Sequence, residues 1–392
     1  MNYEFQYFNP VKLVFGCGSI NEIAEQVGNF GRKGLVVITG DFFIENGLIP
    51  RIQKLLKENN IKSEVYSDIS PNPLSTQIDE GSEFFMKSGC NFVIGVGGGS
   101  AIDAAKAIAV AAGHRSPVWD YCPKAGDNDL DPTEKTIPII AVTTTSGTGS
   151  HVTPFAVVTN PIVKIKTGMG NEHTYPKVSF VDPELMVSLP REITAATGFD
   201  ALAHAIEAYT SNSASPITDL FAEEAIKLVG NNLRKAYSNG QDLESRKAMA
   251  LADTFAGYAL ANAICTLAHS IAQVIGGLFN TVHGTTLAIL TPSCMRFSMN
   301  HRSNKFRKIG LLLNNKLDRE VDKENTIEDS VNQVEKLRSD IRLDISLKEV
   351  GIKIDDFDKI ADDVLKYMAG AVELDAREVN KSDIIEILRM SY

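Results

Sequence analysis

The chain of 392 residues exceeds the roughly 250–300 at which one hydrophobic core stops growing, so two domains are expected. Its 44% hydrophobic and 22% charged residues lie near the globular average, which excludes a disordered or fibrous chain. A net charge of −10 without a concentrated basic patch argues against nucleic acid and anionic lipid as partners.

In chain order, Met1 to Pro10 lacks the basic head and apolar run of a signal peptide. Leu35–Val36–Val37–Ile38 and Phe92–Val96 read as buried strands, Ile49–Leu56 and Ala101–Ala112 as helical segments. Ile137–Val142 is a further strand that runs into a Thr/Ser/Gly loop, Thr143–Ser150. Phe155–Val158 and Lys164–Thr167, separated by Asn160–Pro161, suggest a hairpin, and Val178–Val181 a last short strand. Strands alternating with helices imply a parallel sheet covered on both faces. Beyond about Leu185 the pattern is helical, as in Ile327, Val331, Val334 and Ile341. The expected division is an α/β domain over residues 1–185 and an all-helical domain over 186–392, with a ligand cleft between them.

From Thr254 to Met295 there is no Asp, Glu, Lys or Arg. Asn262, His269, Gln273, Asn280 and His283 would be expensive in lipid, so buried helices around an internal site are expected rather than a membrane span. Five scattered cysteines, Cys17, Cys90, Cys122, Cys265 and Cys294, form no C-x-x-C pair. Reduced thiols in a cytoplasmic protein are the simplest reading.

Three groups of residues carry chemistry. Gly97-Gly98-Gly99-Ser100 stands between a strand and a helix opening at Ala101, where bare backbone and free N–H groups suit a pyrophosphate; a plain tight turn is the alternative, since the pattern is not G-x-G-x-x-G. Asp103 and Lys106 on that helix are either a surface pair or cofactor contacts. The loop Thr143 to Ser150 offers hydroxyls to sugar or phosphate, as ordinary loops also do.

The third group points to a metal. Asp200 and His204 lie one turn apart on a helix read as Ala195 to Tyr209, and His269 and His283 fall in the uncharged stretch. Fourteen residues of continuous helix would hold the last two about 21 Å apart, so the chain must turn back; Gly276–Gly277 and the Asn280 region are the expected break. One carboxylate and three imidazoles suit Fe(II) or Zn(II) rather than magnesium or calcium.

Together, Gly97-Gly98-Gly99-Ser100-x-x-Asp103-x-x-Lys106, Thr144-Thr145-x-Gly147-Thr148-Gly149-Ser150, Ala196-Thr197-Gly198-x-Asp200-x-x-x-His204-x-x-Glu207-Ala208, His269 and His283-Gly284 resemble the iron-containing (group III) alcohol dehydrogenases. The likeness runs from Asn9-Pro10 through Pro292 and more loosely beyond. It implies a Rossmann-like dinucleotide-binding domain and an all-α metal domain in a dehydroquinate synthase-like architecture, NAD or NADP as cofactor, and a homodimer or higher homo-oligomer. Carried over by position, the metal ligands, through which catalysis runs, are Asp200, His204, His269 and His283. Gly97, Gly98, Gly99 and Ser100 hold the pyrophosphate with Asp103 nearby, Thr144, Thr145 and Thr148 line the nucleotide, Lys166 reaches the cofactor, and Phe155 lies near the nicotinamide.

Three positions depart from the family pattern. Gln273 replaces a non-ligand histidine four residues after the third ligand, so a water chain or ribose hydroxyl would have to carry the proton. His151 replaces a glutamate after the Gly-Thr-Gly-Ser run. Gly40, directly after Thr39, stands where NAD-selective members tend to have an acid, which admits NADP(H); Asp41, one residue on, keeps both cofactors open.

The implied reaction is hydride transfer between nicotinamide C4 and a small or medium primary alcohol or its aldehyde, with the ion as Lewis acid. The alternatives are a reductase of a charged aldehyde or keto acid in the same family, a dehydroquinate synthase-like lyase, and a non-catalytic binding protein. The lyase would need basic residues around the metal, and Thr254–Met295 has none; the binding protein would be favoured by a lost ligand, and all four are present.

Overall fold

The computed structural model describes residues 4–123, 130–314 and 326–392. They form two compact units.

The first unit, Asn9–Thr145 with Ser150–Met186, is built on eight strands. These are β1 (Lys12–Phe15), β2 (Lys33–Val37), β3 (Lys62–Tyr66), β4 (Phe92–Gly97), β5 (Ile139–Thr143), β6 (Ala156–Asn160), β7 (Ile165–Met169) and β8 (Val178–Val181). The helices are α1 (Ile23–Val27), α2 (Phe42–Glu45), α3 (Leu48–Glu58), α4 (Ser75–Ser88) and α5 (Gly99–His114). Six strands make one parallel sheet in the order β1-β8-β5-β4-β2-β3, while β6 and β7 pair antiparallel as the hairpin. The central strands β4 and β5 are buried at every position, so they read as continuous apolar runs. After β3 the strand order reverses, and the switch point lies between β2 and β4. Open parallel sheets bind ligands beyond the carboxyl ends of the strands at such a point. Gly40, just past β2, and Gly97, ending β4, flank it.

The second unit comprises Val187–Tyr392, the loop Ser146–Gly149 and the amino-terminal segment ending at Phe8. Phe8 N donates to Asn262 Oδ1 at 2.9 Å, and the Tyr7 and Phe221 rings lie 5.9 Å apart. Both short segments thus lie outside the α/β unit, against the expectation of one continuous stretch to residue 185. The helices are α6 (Arg191–Thr210), α7 (Pro216–Ser238), α8 (Leu243–Ala263), α9 (Leu267–Phe279), α10 (His283–Ser298), α11 (Ser303–Leu313), α12 (Glu328–Asp340), α13 (Phe357–Tyr367), α14 (Ala369–Val372) and α15 (Lys381–Met390).

Helix α6 is the axis of this unit. Its alanines at 195, 196, 201, 203, 205 and 208 are all buried, and α7, α8 and α10 pack around it. Small side chains let helix axes approach closely, which is why polar groups on α6 are enclosed on all sides. The charge-free stretch supplies the end of α8, all of α9 and most of α10, largely buried. Helices α8 and α9 meet at 98°, and among the described residues no single helix is long and apolar enough to cross a membrane.

The break between His269 and His283 is not where the glycine pair suggests. Helix α9 continues through Gly276 and Gly277 and ends at Asn280, which caps it in the left-handed region at φ 53° and ψ 41°. Asparagine reaches that region with little strain, whereas mid-helix glycine merely costs stability.

Candidate functional site

Asp200, His204 and Glu207 follow one another at helical spacing on α6 and are all buried. His269 stands in the first turn of α9, and His283 opens α10. Gly284 brings that opening against α6: a Cβ there would lie 2.1 Å from the Ala196 carbonyl oxygen, so no side chain fits.

One ligand atom from each of Asp200, His269 and His283 lies within 4.8 Å of the other two. His204, Cys265 and His269 form a second triad within the same limit. All four predicted ligands are therefore brought together, with His269 common to both triads, and Cys265 joins them unforeseen. The His204 and His269 rings stack at 4.3 Å; His269 and His283 meet nearly edge-on at 5.4 Å.

Hydrogen bonds fix which nitrogens remain as donors of lone pairs. His269 Nδ1 lies 2.8 Å from Glu207 Oε1, and His204 Nδ1 lies 3.0 Å from the Gly147 carbonyl oxygen. Both oxygens accept, so each Nδ1 carries the proton and each Nε2 is left bare. Yet His269 Nε2 lies 3.4 Å from Asp200 Oδ1, both atoms are buried, and neither makes a hydrogen bond of good geometry. A cation between them would relieve two acceptors that face each other in a buried pocket.

The titration of the cluster says the same. Burial alone would raise Asp200, but His204, His269 and His283 outweigh it and hold the carboxyl at about 2. Burial likewise lowers His204 and His269, and the groups beside them, Asp200 for the first and Cys265 and Glu207 for the second, more than reverse it. The pocket stabilises positive charge, which protons or a divalent ion can supply. One carboxylate with three imidazoles fits Fe(II) or Zn(II).

In the α/β unit, Gly97, Gly98, Gly99 and Ser100 link β4 to α5, whose first residue is Gly99 rather than Ala101. No side chain caps α5, and a Cβ on Gly98 would lie 3.1 Å from Thr145 Cγ2. Thr144 N donates to the Gly97 carbonyl at 2.9 Å, and the buried hydroxyls of Thr144 and Thr145 have no partner among the described residues. Asn72 joins the cradle: its N–H donates to Ser100 Oγ at 3.3 Å, and its Oδ1 accepts from Lys166 Nζ at 2.8 Å. Thr148 lies on the loop that belongs to the helical unit. Gly40 and Asp41 are both exposed at the end of β2, and Phe155 is half-buried before β6.

Asp103 and Lys106 are not a surface pair. Lys106 is 0% exposed and donates to Ser150 Oγ, Thr153 O and Phe155 O at 2.9, 2.9 and 2.6 Å. Asp103 accepts from Ser150 Oγ at 2.6 Å and from Val157 N at 3.0 Å. Together they tie α5 to the Ser150 turn and the hairpin.

Family models for "Iron-containing alcohol dehydrogenase" and "Fe-containing alcohol dehydrogenase family, C-terminal" match residues 10–183 and 194–392. The chain belongs to the iron-containing alcohol dehydrogenase family. It is 35% identical to the 1,3-propanediol dehydrogenase of Citrobacter freundii over all of both chains. It is 33% identical to the NAD-dependent methanol dehydrogenase of Bacillus methanolicus over 98% of each. Among solved structures, the archaeal halo-thermophilic Red Sea brine pool alcohol dehydrogenase ADH/D1, bound to NZQ, superposes with a TM-score of 0.95 at 35% identity over the whole of both chains. Like these relatives, this iron-type alcohol dehydrogenase is an oxidoreductase acting on CH–OH groups.

The sequence reading of this family member assigned no role to Glu207, Cys265, Asp253 or Asn72. Glu207 was legible in principle, since it lies three residues beyond His204 on the same face of α6. Asp253, on α8, accepts from Gly149 N at 2.7 Å and so anchors the loop whose Gly147 carbonyl orients His204. His151 is buried, and burial followed by the Lys106 charge pushes its imidazole down to about 3, so it is a neutral packing residue.

Proposed function

We propose that this chain is an NAD(P)-linked dehydrogenase of small or medium primary alcohols and their aldehydes, with one divalent ion, Fe(II) or Zn(II), held by Asp200, His204, His269 and His283. The observation that carries the ligand assignment is the buried pair of lone-pair donors, Asp200 Oδ1 and His269 Nε2, facing each other at 3.4 Å. When bound, the ion acts as a Lewis acid on the substrate oxygen while the nicotinamide carries the hydride.

The protein's part is orientation and exclusion of water. Glu207 and the Gly147 carbonyl fix the tautomers of His269 and His204, so both rings present Nε2 without rearrangement. The start of α5 with Gly97–Ser100 takes the pyrophosphate, and Thr144, Thr145 and Thr148 supply hydroxyls to the nucleotide. Asp103 sets the turn beneath it, Lys166 is held ready by Asn72, and Phe155 offers a ring to the nicotinamide. Gln273 lies one turn beyond His269 with a buried, unpartnered Oε1, which offers an acceptor to a hydroxyl but no titrating proton. The absence of basic side chains from Thr254 to Met295 favours an uncharged substrate.

In this reading the α/β unit binds the cofactor and the helical unit the metal, and the active form is a cytoplasmic homodimer, in keeping with five cysteines that form no disulfide. Light scattering tests the dimer. For the reaction, the anaerobically purified protein is loaded with Fe(II) or Zn(II), and NADH or NADPH absorbance is followed with a panel of aldehydes, His269→Ala serving as control. Metal-dependent oxidation of cofactor that vanishes in the variant supports the reading. Metal-loaded, cofactor-binding protein that turns over only charged aldehydes or keto acids would overturn the substrate class.

A further inference from the structure

We propose that Cys265 is a further ligand of the metal centre, binding as thiolate beside His204 and His269 and biasing the site towards thiophilic ions, zinc above iron. The inference rests on the metal reading above and adds a donor to it.

Cys265 occupies the short reversal between α8, which ends at Ala263, and α9, which begins at Leu267. That 98° bend places its sulfur within 4.8 Å of ligand nitrogens on both His204 and His269. Donors that share one zinc at bond lengths of about 2.0–2.3 Å lie roughly 3–4 Å apart, so a modest rotation of one buried side chain closes the triad. The Nδ1 atoms of both histidines are engaged elsewhere, by Gly147 and Glu207, which leaves Nε2 on each for the same ion.

A thiolate adds a soft anionic donor to a set of one carboxylate and three imidazoles. On coordination the thiol proton leaves to solvent and the sulfur lone pair forms the bond, with no change of oxidation state. Thiolate ligands select zinc and its cobalt surrogate over metals that prefer oxygen. Cys294, also buried in this unit, is in neither triad and serves as the internal control.

The test uses the full chain made metal-free and loaded with one equivalent of Co(II), with Cys17→Ser in every protein to remove the exposed thiol. The expected result is a thiolate-to-cobalt charge-transfer band in the near ultraviolet that survives Cys294→Ser. Cys265→Ser should lose the band while the visible d–d bands of bound cobalt remain. Zinc affinity of Cys265→Ser, measured by chelator competition, should fall about tenfold or more, with a smaller loss for Fe(II). Bound cobalt without the band, or a band unchanged in Cys265→Ser, would overturn the proposal. Failure of the chain to hold cobalt at all removes the metal reading and this ligand with it, a result distinguishable from the first two by the missing d–d bands.

Discussion

The imidazole of His269 donates from Nδ1 to Glu207 Oε1 at 2.8 Å, deep in a pocket where neither residue is more than 6% exposed. A carboxylate in that position fixes ring orientation and raises the basicity of Nε2, and losing such a partner typically costs about 10–100-fold in metal affinity. Glu207→Gln keeps an acceptor but loses the charge. It should weaken zinc or iron binding about tenfold, and Glu207→Ala about a hundredfold, as read by chelator competition. Circular dichroism distinguishes this from unfolding. Unchanged affinity in both variants would mean that His269 is positioned by packing alone.

Asp253 carries a different signature. Burial raises its carboxyl to about 7, only partly offset by the N–H groups of Gly149 and Gly147. A carboxyl raised in the folded state stabilises the fold fully below its unfolded value, about 3.9, and that contribution is lost as pH rises through the folded value. The metal-free protein should therefore lose urea resistance between about pH 4 and pH 7 and level off above. Asp253→Asn, neutral throughout, should flatten this part of the profile. If wild type and variant run parallel from pH 4.5 to 7.5, Asp253 titrates as an ordinary surface carboxylate.

Much of this was visible in the residues, for identifiable reasons. Buried central strands are continuous apolar runs, so β2, β4 and β5 announce themselves, whereas the edge strands β1 and β3 carry Lys12, Lys62 and Glu64 and none of their residues is fully buried. The clustered side chains were legible as candidate ligands because an Asp and a His one turn apart, and histidines in a charge-free stretch, are chemically conspicuous. Cys265 was not, because its place beside His204 and His269 depends on the α8–α9 reversal, and there the positive-φ residue is Ile264, at φ 61° and ψ 153°, a residue type that does not advertise a turn. Of the two breaks the sequence offers between His269 and His283, the Asn280 region ends the helix and the glycine pair does not. Lys106 stayed open between a surface pair and a cofactor contact because spacing reports which groups share a helix face, not whether that face is covered.

That burial makes Lys106 a test of the α/β unit. Its side chain is 0% exposed and donates to three oxygens; burial pushes its pKa down to about 8, and the charge of Asp103 offsets that only in part. Lys106→Met keeps the length and removes the donors, leaving Asp103 with less compensation in the same interior. Leaving a buried acceptor without its donor costs about 1–3 kcal/mol. Urea unfolding should show a loss of that order, with weaker NAD(H) binding because the Ser150 turn and hairpin come loose. Lys106→Arg, too large for the enclosed space, should not restore it. Stability within about 0.5 kcal/mol of wild type would mean that the hairpin is held by its own strand pairing.

In the cofactor reading proposed above, the ribose 2′ position meets the end of β2. Gly40 offers no carboxylate, yet Asp41 follows it, exposed at the N-terminus of α2 and making no capping bond there, and Asp68 lies across the isolated pairing of Thr39. Two carboxylates free of packing constraints favour a ribose diol and repel a phosphate, but exposed charges act weakly, and screening at 0.15 M salt shortens their reach to about 8 Å. The expectation is a modest preference for NADH with measurable use of NADPH, rather than exclusion. Asp41→Ala should lower the KM for NADPH severalfold, leave kcat nearly unchanged and barely move the NADH constants, because the change acts on ground-state binding far from the hydride. The NADPH effect should shrink as salt is raised. A KM for NADPH that does not respond to the substitution would place the 2′ selection on Asp68 or on the backbone at Gly40.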